Sequence, residues 1–94
     1  MITLFFKNTL TLHIEKINMS FLEEKEFLIQ FGKQIAKLRK KKGISQIELA
    51  YRCDFEKSNM RRIEAGRTNP TTLTVRKISK ALDVPIEKFF KFDH

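Results

Sequence analysis

The sequence predicts an all-α fold, and three observations carry that reading. Apolar residues recur three, four and seven apart between Phe21 and Leu38, the spacing of one helix face. Two Ser-x-x-Glu patterns, at Ser20 and Ser45, have the form of helix-start capping boxes. Only the stretch from Thr9 to Ile17 alternates as a strand would. With 94 residues the chain is long enough for one domain with a modest core.

The N-terminal extension, residues 1–19, opens with "MITLFFKNTLTLHIEKIN". It lacks a basic leading region and a small-residue cleavage site, and Lys7 interrupts its apolar run, so neither a secretion signal nor a membrane span is expected. Leu10, Leu12 and Ile14 alternate with Thr11, His13 and Glu15, which suits a strand. A lone strand needs a partner, so it would pair with a second copy or pack as an arm. The alternative is a disordered extension, upstream reading frame if translation starts at Met19.

Residues 20–94 form the predicted domain. Ser20 and Glu23 start a helix whose stripe is Phe21, Leu28, Phe31, Ile35 and Leu38, with Lys33, Lys37, Arg39 and Lys40 in the intervals. Gly32 costs about 1 kcal/mol against Ala inside such a helix and marks a seam between a leader helix and the first core helix. Gly43 ends the run behind "RKKK", whose cations suit a helix C-terminus. Ser45 then caps a second helix with Leu49, Ala50 and Cys53 on one face and Gln46 beside them. Only "DFE" separates it from the next helix, so the two must meet steeply, the spacing of a helix-turn-helix.

On a helical wheel of the third segment, Ser58, Arg61, Arg62 and Ala65 share one arc. Met60, Ile63 and Glu64 lie opposite, with Lys57 and Asn59 at the rims. A formal charge of +8 and a pI near 9.9 favour a polyanionic partner, nucleic acid or an anionic membrane surface. A solvated basic face is the bland alternative for the arc. Beyond it, Thr71 or Thr72 caps a fourth helix whose Leu73, Val75, Ile78, Ala81 and Leu82 close the core. Pro85 opens a fifth, where its missing amide is harmless. One cysteine excludes an internal disulfide, and with His13 and His94 it cannot complete a four-ligand zinc site. No metal, cofactor or small-molecule ligand is expected, and the cysteine usage suits the cytoplasm.

The segment "GKQIAKLRKKKGISQIELAYRCDFEKSNMRRIEAGRTNPTTLTVRKISKAL" resembles the lambda-repressor-like DNA-binding domains, the Cro and repressor type or xenobiotic-response-element helix-turn-helix family. The likeness runs from Gly32 to about Phe90, on "LR..KG.SQ.ELA", Glu64, "GR..P" and "I.KAL.V" in one register. It implies five helices, at about 32 to 42, 46 to 53, 57 to 64, 73 to 82 and 86 to 91, the second and third forming the DNA-reading unit. It places Lys57 and Ser58 where the family meets base edges and phosphates. Arg61 and Arg62 on the outward arc are candidates for bidentate hydrogen bonds to guanine, each about 1 to 3 kcal/mol of discrimination. By the same resemblance Gln46 clamps a backbone phosphate, and Arg67, Thr68 and Asn69 touch the sugar-phosphate chain, with a plain turn as the alternative for that loop. Glu64, costly to bury alone, is expected to pair with Arg39. Cys53 takes a small apolar core position.

The chain departs from the family pattern at a few places. Asp54 stands at a turn position that is usually Gly, and Glu56, neither Ser nor Thr, precedes the recognition helix. Ile47 and Tyr51 occupy the outer face of the second helix, where polar residues are usual; covering the N-terminal segment or a Tyr51 contact to phosphate would explain them.

The resemblance therefore implies a non-enzymatic transcriptional regulator that binds double-stranded DNA as a homodimer, of the phage-type repressor or restriction-modification controller layout. Small members pair through their last region, which points to Phe89 and Phe90 as a dimer interface against the alternative that both plug the core. Half-sites about 34 Å apart on a two-fold symmetric operator fit such a dimer. The rival reading is an antitoxin or protein-interaction module with DNA binding secondary. An RNA-binding protein is disfavoured because no paired aromatics stand out on a basic surface to stack splayed bases.

Overall fold

The computed structural model describes residues 9–92, with side chains described from residue 19 onward. Four α-helices follow in order, α1 (Thr9–Lys41), α2 (Gln46–Arg52), α3 (Lys57–Glu64) and α4 (Thr72–Leu82), and then a 3-10 turn, Ile86–Phe90. No strand occurs among the described residues.

Three expectations are corrected here. Thr9 to Ile17 is helical, not a strand, because Leu10, Ile14, Ile17 and Phe21 also satisfy the i, i+4, i+7, i+11 spacing of a helix face. Ser20 does not cap a helix; it lies well inside α1, which runs unbroken through the supposed seam at Gly32. The fifth α-helix is a 3-10 turn, closed by i to i+3 bonds from Lys88 N to the Pro85 carbonyl (3.0 Å) and Lys91 N to the Lys88 carbonyl (3.4 Å). Residues 1–8 of the predicted extension lie outside the described residues.

All four helices end alike. After α1, the Ile44 amide reaches back to the Arg39 carbonyl (3.2 Å) and Gly43 to Lys40 (3.0 Å), the paired bonds of a Schellman motif. The same pair recurs after α2, α3 and α4, each with one residue in the left-handed region: Asp54 (φ 57°), Gly66 (φ 74°) and Asp83 (φ 54°). Asp54, expected at a turn position usually held by Gly, thus adopts the left-handed conformation without glycine.

The core is built from Phe31, Ile35, Leu49, Met60, Ile63, Ile78, Leu82 and Phe89, drawn from all five elements. Leu73, expected in it, is 69% exposed: at about 100° per residue it falls on the face of α4 opposite the buried Val75, Ile78 and Leu82. Phe21, also expected in the buried stripe, is 57% exposed, because α1 extends beyond the body it packs on.

Gly32 has a packing reason. A Cβ built there would lie 2.6 Å from the Ile63 carbonyl oxygen and still closer to that of Glu64, so α1 crosses directly over the last turn of α3. Helix propensity alone would make Gly32→Ala stabilising by about 1 kcal/mol. We expect the opposite sign, a loss of about 1 to 3 kcal/mol from forcing the helices apart. Urea unfolding of the two proteins decides; a more stable alanine protein would show that the crossing can relax.

Candidate nucleic-acid interface

The short connection of α2 to α3 sets the site. Ser45 Oγ accepts the Glu48 amide (3.0 Å) and starts α2, but the Glu48 carboxylate turns outward to Arg52 Nε (3.0 Å) and does not complete the reciprocal box. α3 begins at Glu56, whose side chain makes no cap bond. Its position is therefore fixed by burial on the other side, where Met60 is fully enclosed and Ile63 nearly so.

That burial leaves Lys57, Ser58, Arg61, Arg62 and Ala65 exposed together on the opposite arc. Arg67 and Asn69 are exposed in the following loop, and Thr68 is half-buried beside them. Hence α3 presents a ridge of cations and one hydroxyl, with a further cation just past its C-terminus.

A buried polar network supports this ridge from beneath. Arg39, on α1, meets Glu64, the last residue of α3, in two bonds: Nε to Oε2 at 2.7 Å and Nη2 to Oε1 at 3.0 Å. Its remaining Nη1 donates to the Ile44 carbonyl at 2.9 Å. Gln46 Nε2 adds a bond to Glu64 Oε1 at 2.9 Å. The Glu64 carboxylate thus ties α1, α2 and α3 together, and Arg39 adds the loop after α1, with side-chain exposures of only 10% for Arg39 and 6% for Glu64. No buried side-chain nitrogen or oxygen among the described residues lacks a partner.

The structure therefore brings Arg39 and Glu64 together and draws Gln46 into the same cluster. Gln46 was expected at a phosphate; here one amide N–H is held by Glu64, and its other N–H remains for an external acceptor. The part played by the Ile44 carbonyl escaped sequence reasoning, since a backbone acceptor leaves no residue-type signal.

Phe89 is a correction. It is fully buried and meets Phe31 edge-on at 6.4 Å, so it plugs the core and presents nothing to a partner. Phe90, the next residue, is 44% exposed and stacks on Phe31 at 5.0 Å. Together with Phe27, Leu28, Pro70 and Ile86 it lines an apolar groove of about 280 Å³.

Cys53 sits in the core, and burial pushes its thiol up to about 11 against the pull of Lys77. It is neutral and unreactive at physiological pH. Ile47 and Tyr51 are exposed on the outer face of α2, at 61% and 82%. No described helix is long and apolar enough to cross a membrane.

A helix-turn-helix family model matches residues 35–89, from the last two turns of α1 to the 3-10 turn. Over 53 residues the chain is 38% identical to an uncharacterized HTH-type transcriptional regulator of Sinorhizobium fredii, covering 56% of this chain and 69% of that one. Over 63 residues it is 35% identical to the control protein C.BamHI of Bacillus amyloliquefaciens, covering 66% and 78%. The crystal structure of the restriction-modification controller protein C.AhdI from Aeromonas hydrophila is similar at a TM-score of 0.65 and 32% identity, over 67% of this chain and 96% of that chain.

Proposed function

Because the chain belongs to the Cro and C1 type of the helix-turn-helix family, and is thus a DNA-binding transcriptional regulator, we propose that it reads an operator with α3 as a homodimer. The observation that carries the reading is the exposed arc of Lys57, Ser58, Arg61 and Arg62, held rigid from below by the Arg39, Glu64 and Gln46 cluster. Arg61 and Arg62 discriminate bases in the major groove, where a guanidinium can grip guanine O6 and N7. Lys57 and Ser58 meet base edges and phosphates at the start of the helix. Gln46, Arg67, Thr68 and Asn69 hold the sugar-phosphate backbone and set the register without reading sequence.

Of the layouts this family supports, the similarity to control proteins of restriction-modification systems favours a regulator of that kind. The cluster around Glu64 has a structural part in this reading: Arg39 and Gln46 both bond the carboxylate at the end of α3 and so brace the arc. A protein-interaction role beside DNA binding is favoured by one observation: Met19, Phe21 and Leu22 are all more than half exposed on α1.

Selection of bound fragments from random duplex DNA tests the reading and yields the operator. On that operator, Arg62→Ala should lose preference at one defined base pair, by about 1 to 3 kcal/mol. Arg67→Ala should weaken operator and random DNA about equally. Equal losses on both kinds of DNA for both variants would overturn the division of roles.

A further inference from the structure

The outer face of α1 carries a feature that the recognition of an operator half-site leaves unused. Residues 33–42 hold five lysines and no Asp or Glu. The arginine among them, Arg39, is buried and paired. An ordinary solvated helix face interleaves acids with bases, and like charges four apart oppose the helix that carries them. Here Lys33, Lys37 and Lys41 follow one another at that spacing, with Lys40 beside them, and all four are exposed.

The placement of these lysines is specific. At 100° per residue they fall within about 100° of arc, centred opposite the buried Ile35. Gly32, which meets α3, lies about 140° from Lys37 on the same wheel. Lys33, Lys37, Lys40 and Lys41 line one shallow groove, and Lys91, beyond the 3-10 turn, joins Lys33 and Lys37 along a second. The turn is held there by Gln34, whose Nε2 donates to the Lys88 carbonyl at 2.8 Å. Lys33 to Lys41 spans about 12 Å along the helix at 1.5 Å per residue. Over that length a duplex presents several phosphates, at one charge per about 1.7 Å of axis.

We propose that this stripe is a second phosphate-backbone track, on which the protein holds duplex DNA outside the half-site that α3 reads. The inference rests on the reading of α3 as the DNA-recognition helix. Its ligand is duplex backbone of any sequence, because ammonium groups on flexible stems act as point charges and select no base. That backbone comes either from the flanks of the bound operator or from a second duplex.

The test compares the parent with K33Q/K37Q/K41Q, in which glutamine keeps the helix propensity of lysine. Affinity is measured across a salt series on a duplex of operator length and on one several helical turns longer. On the longer duplex the slope of log affinity against log salt should fall by about 2 to 3 in the variant, at about 0.9 for each phosphate that a lysine no longer neutralises. The preference for operator over random sequence should stay as in the parent, and K33R/K37R/K41R should restore the slope.

If the source is a second duplex, the effect appears instead as a failure to capture a labelled duplex by protein already seated on immobilised operator. Unchanged slopes together with unchanged capture would overturn the proposal. So would an equal fall in slope on the operator-length duplex, which would assign the lysines to the half-site itself. Arg62→Ala runs alongside: if operator preference survives that change, the α3 reading fails, separately from the lysine result.

Discussion

Arg39→Met is expected to destabilise the fold by about 3 to 5 kcal/mol, the usual cost of stranding one member of a buried ion pair. A domain of this size has roughly 5 to 15 kcal/mol in all. The effect should be large because the loss is threefold. Glu64 loses two charge-assisted bonds, the Ile44 carbonyl loses its donor, and methionine offers neither group a replacement. Gln46 alone cannot compensate, since a single neutral amide N–H then faces a carboxylate that is 6% exposed.

The double variant Arg39→Met with Glu64→Leu should recover much of the loss. Replacing a whole buried pair by apolar groups is often close to neutral, whereas halving it is not. Chemical unfolding of the three proteins decides. A single variant that unfolds like the parent would mean that water reaches Glu64 when Arg39 is gone. The pair also bears on function: it joins α1 to the end of α3, so a folded Arg39 variant should hold the recognition arc less firmly and lose operator preference before it loses helicity.

Some of this was legible from residue order alone. The exposed arc of α3 follows from the 3.6-residue period acting on Met60 and Ile63, and the structure buries those two. The boundaries of α2 and α3 follow from Ser45 and from a connection too short for anything but a steep turn. The pairing of Arg39 with Glu64 spans 25 positions, so only the family resemblance could point to it.

Other features were ambiguous for physical reasons. Leu10, Leu12 and Ile14 fit a two-residue period, while Leu10, Ile14 and Ile17 fit a helical one, and nothing local chooses between them. Ser20 and Glu23 imitate a capping box inside a continuous helix, since the motif describes side chains that can cap and not the backbone that needs capping. Gly32 carries a propensity cost that residue order shows, whereas its function, the close passage of two backbones, shows only in the fold. Which of two adjacent phenylalanines is buried depends on the type of the last turn, and a 3-10 geometry rotates neighbours by about 120° where an α-helix rotates them by about 100°.

That last distinction yields opposite expectations for neighbouring residues. Phe89→Ala should cost about 3 to 5 kcal/mol, because the ring is fully enclosed between Phe31 and the rest of the core and its removal leaves a cavity. The protein should unfold at lower temperature, and any loss of DNA binding should track the loss of fold. Phe90→Ser should behave differently. Its ring is 44% exposed, and its stacking on Phe31 and Phe27, at 5.0 and 6.5 Å, accounts for only part of its surface. The exposed part continues the apolar groove of Leu28, Pro70 and Ile86, which we propose as the homodimer contact. A serine there should leave the chain folded, shift sedimentation toward monomer, and weaken binding to a two-fold operator far more than to a single half-site, because each protomer would then bind without its neighbour's support. A parent protein that remains monomeric on its operator, or a Phe90→Ser protein that sediments and binds as the parent does, would remove Phe90 from the interface and leave it as a lid on the core.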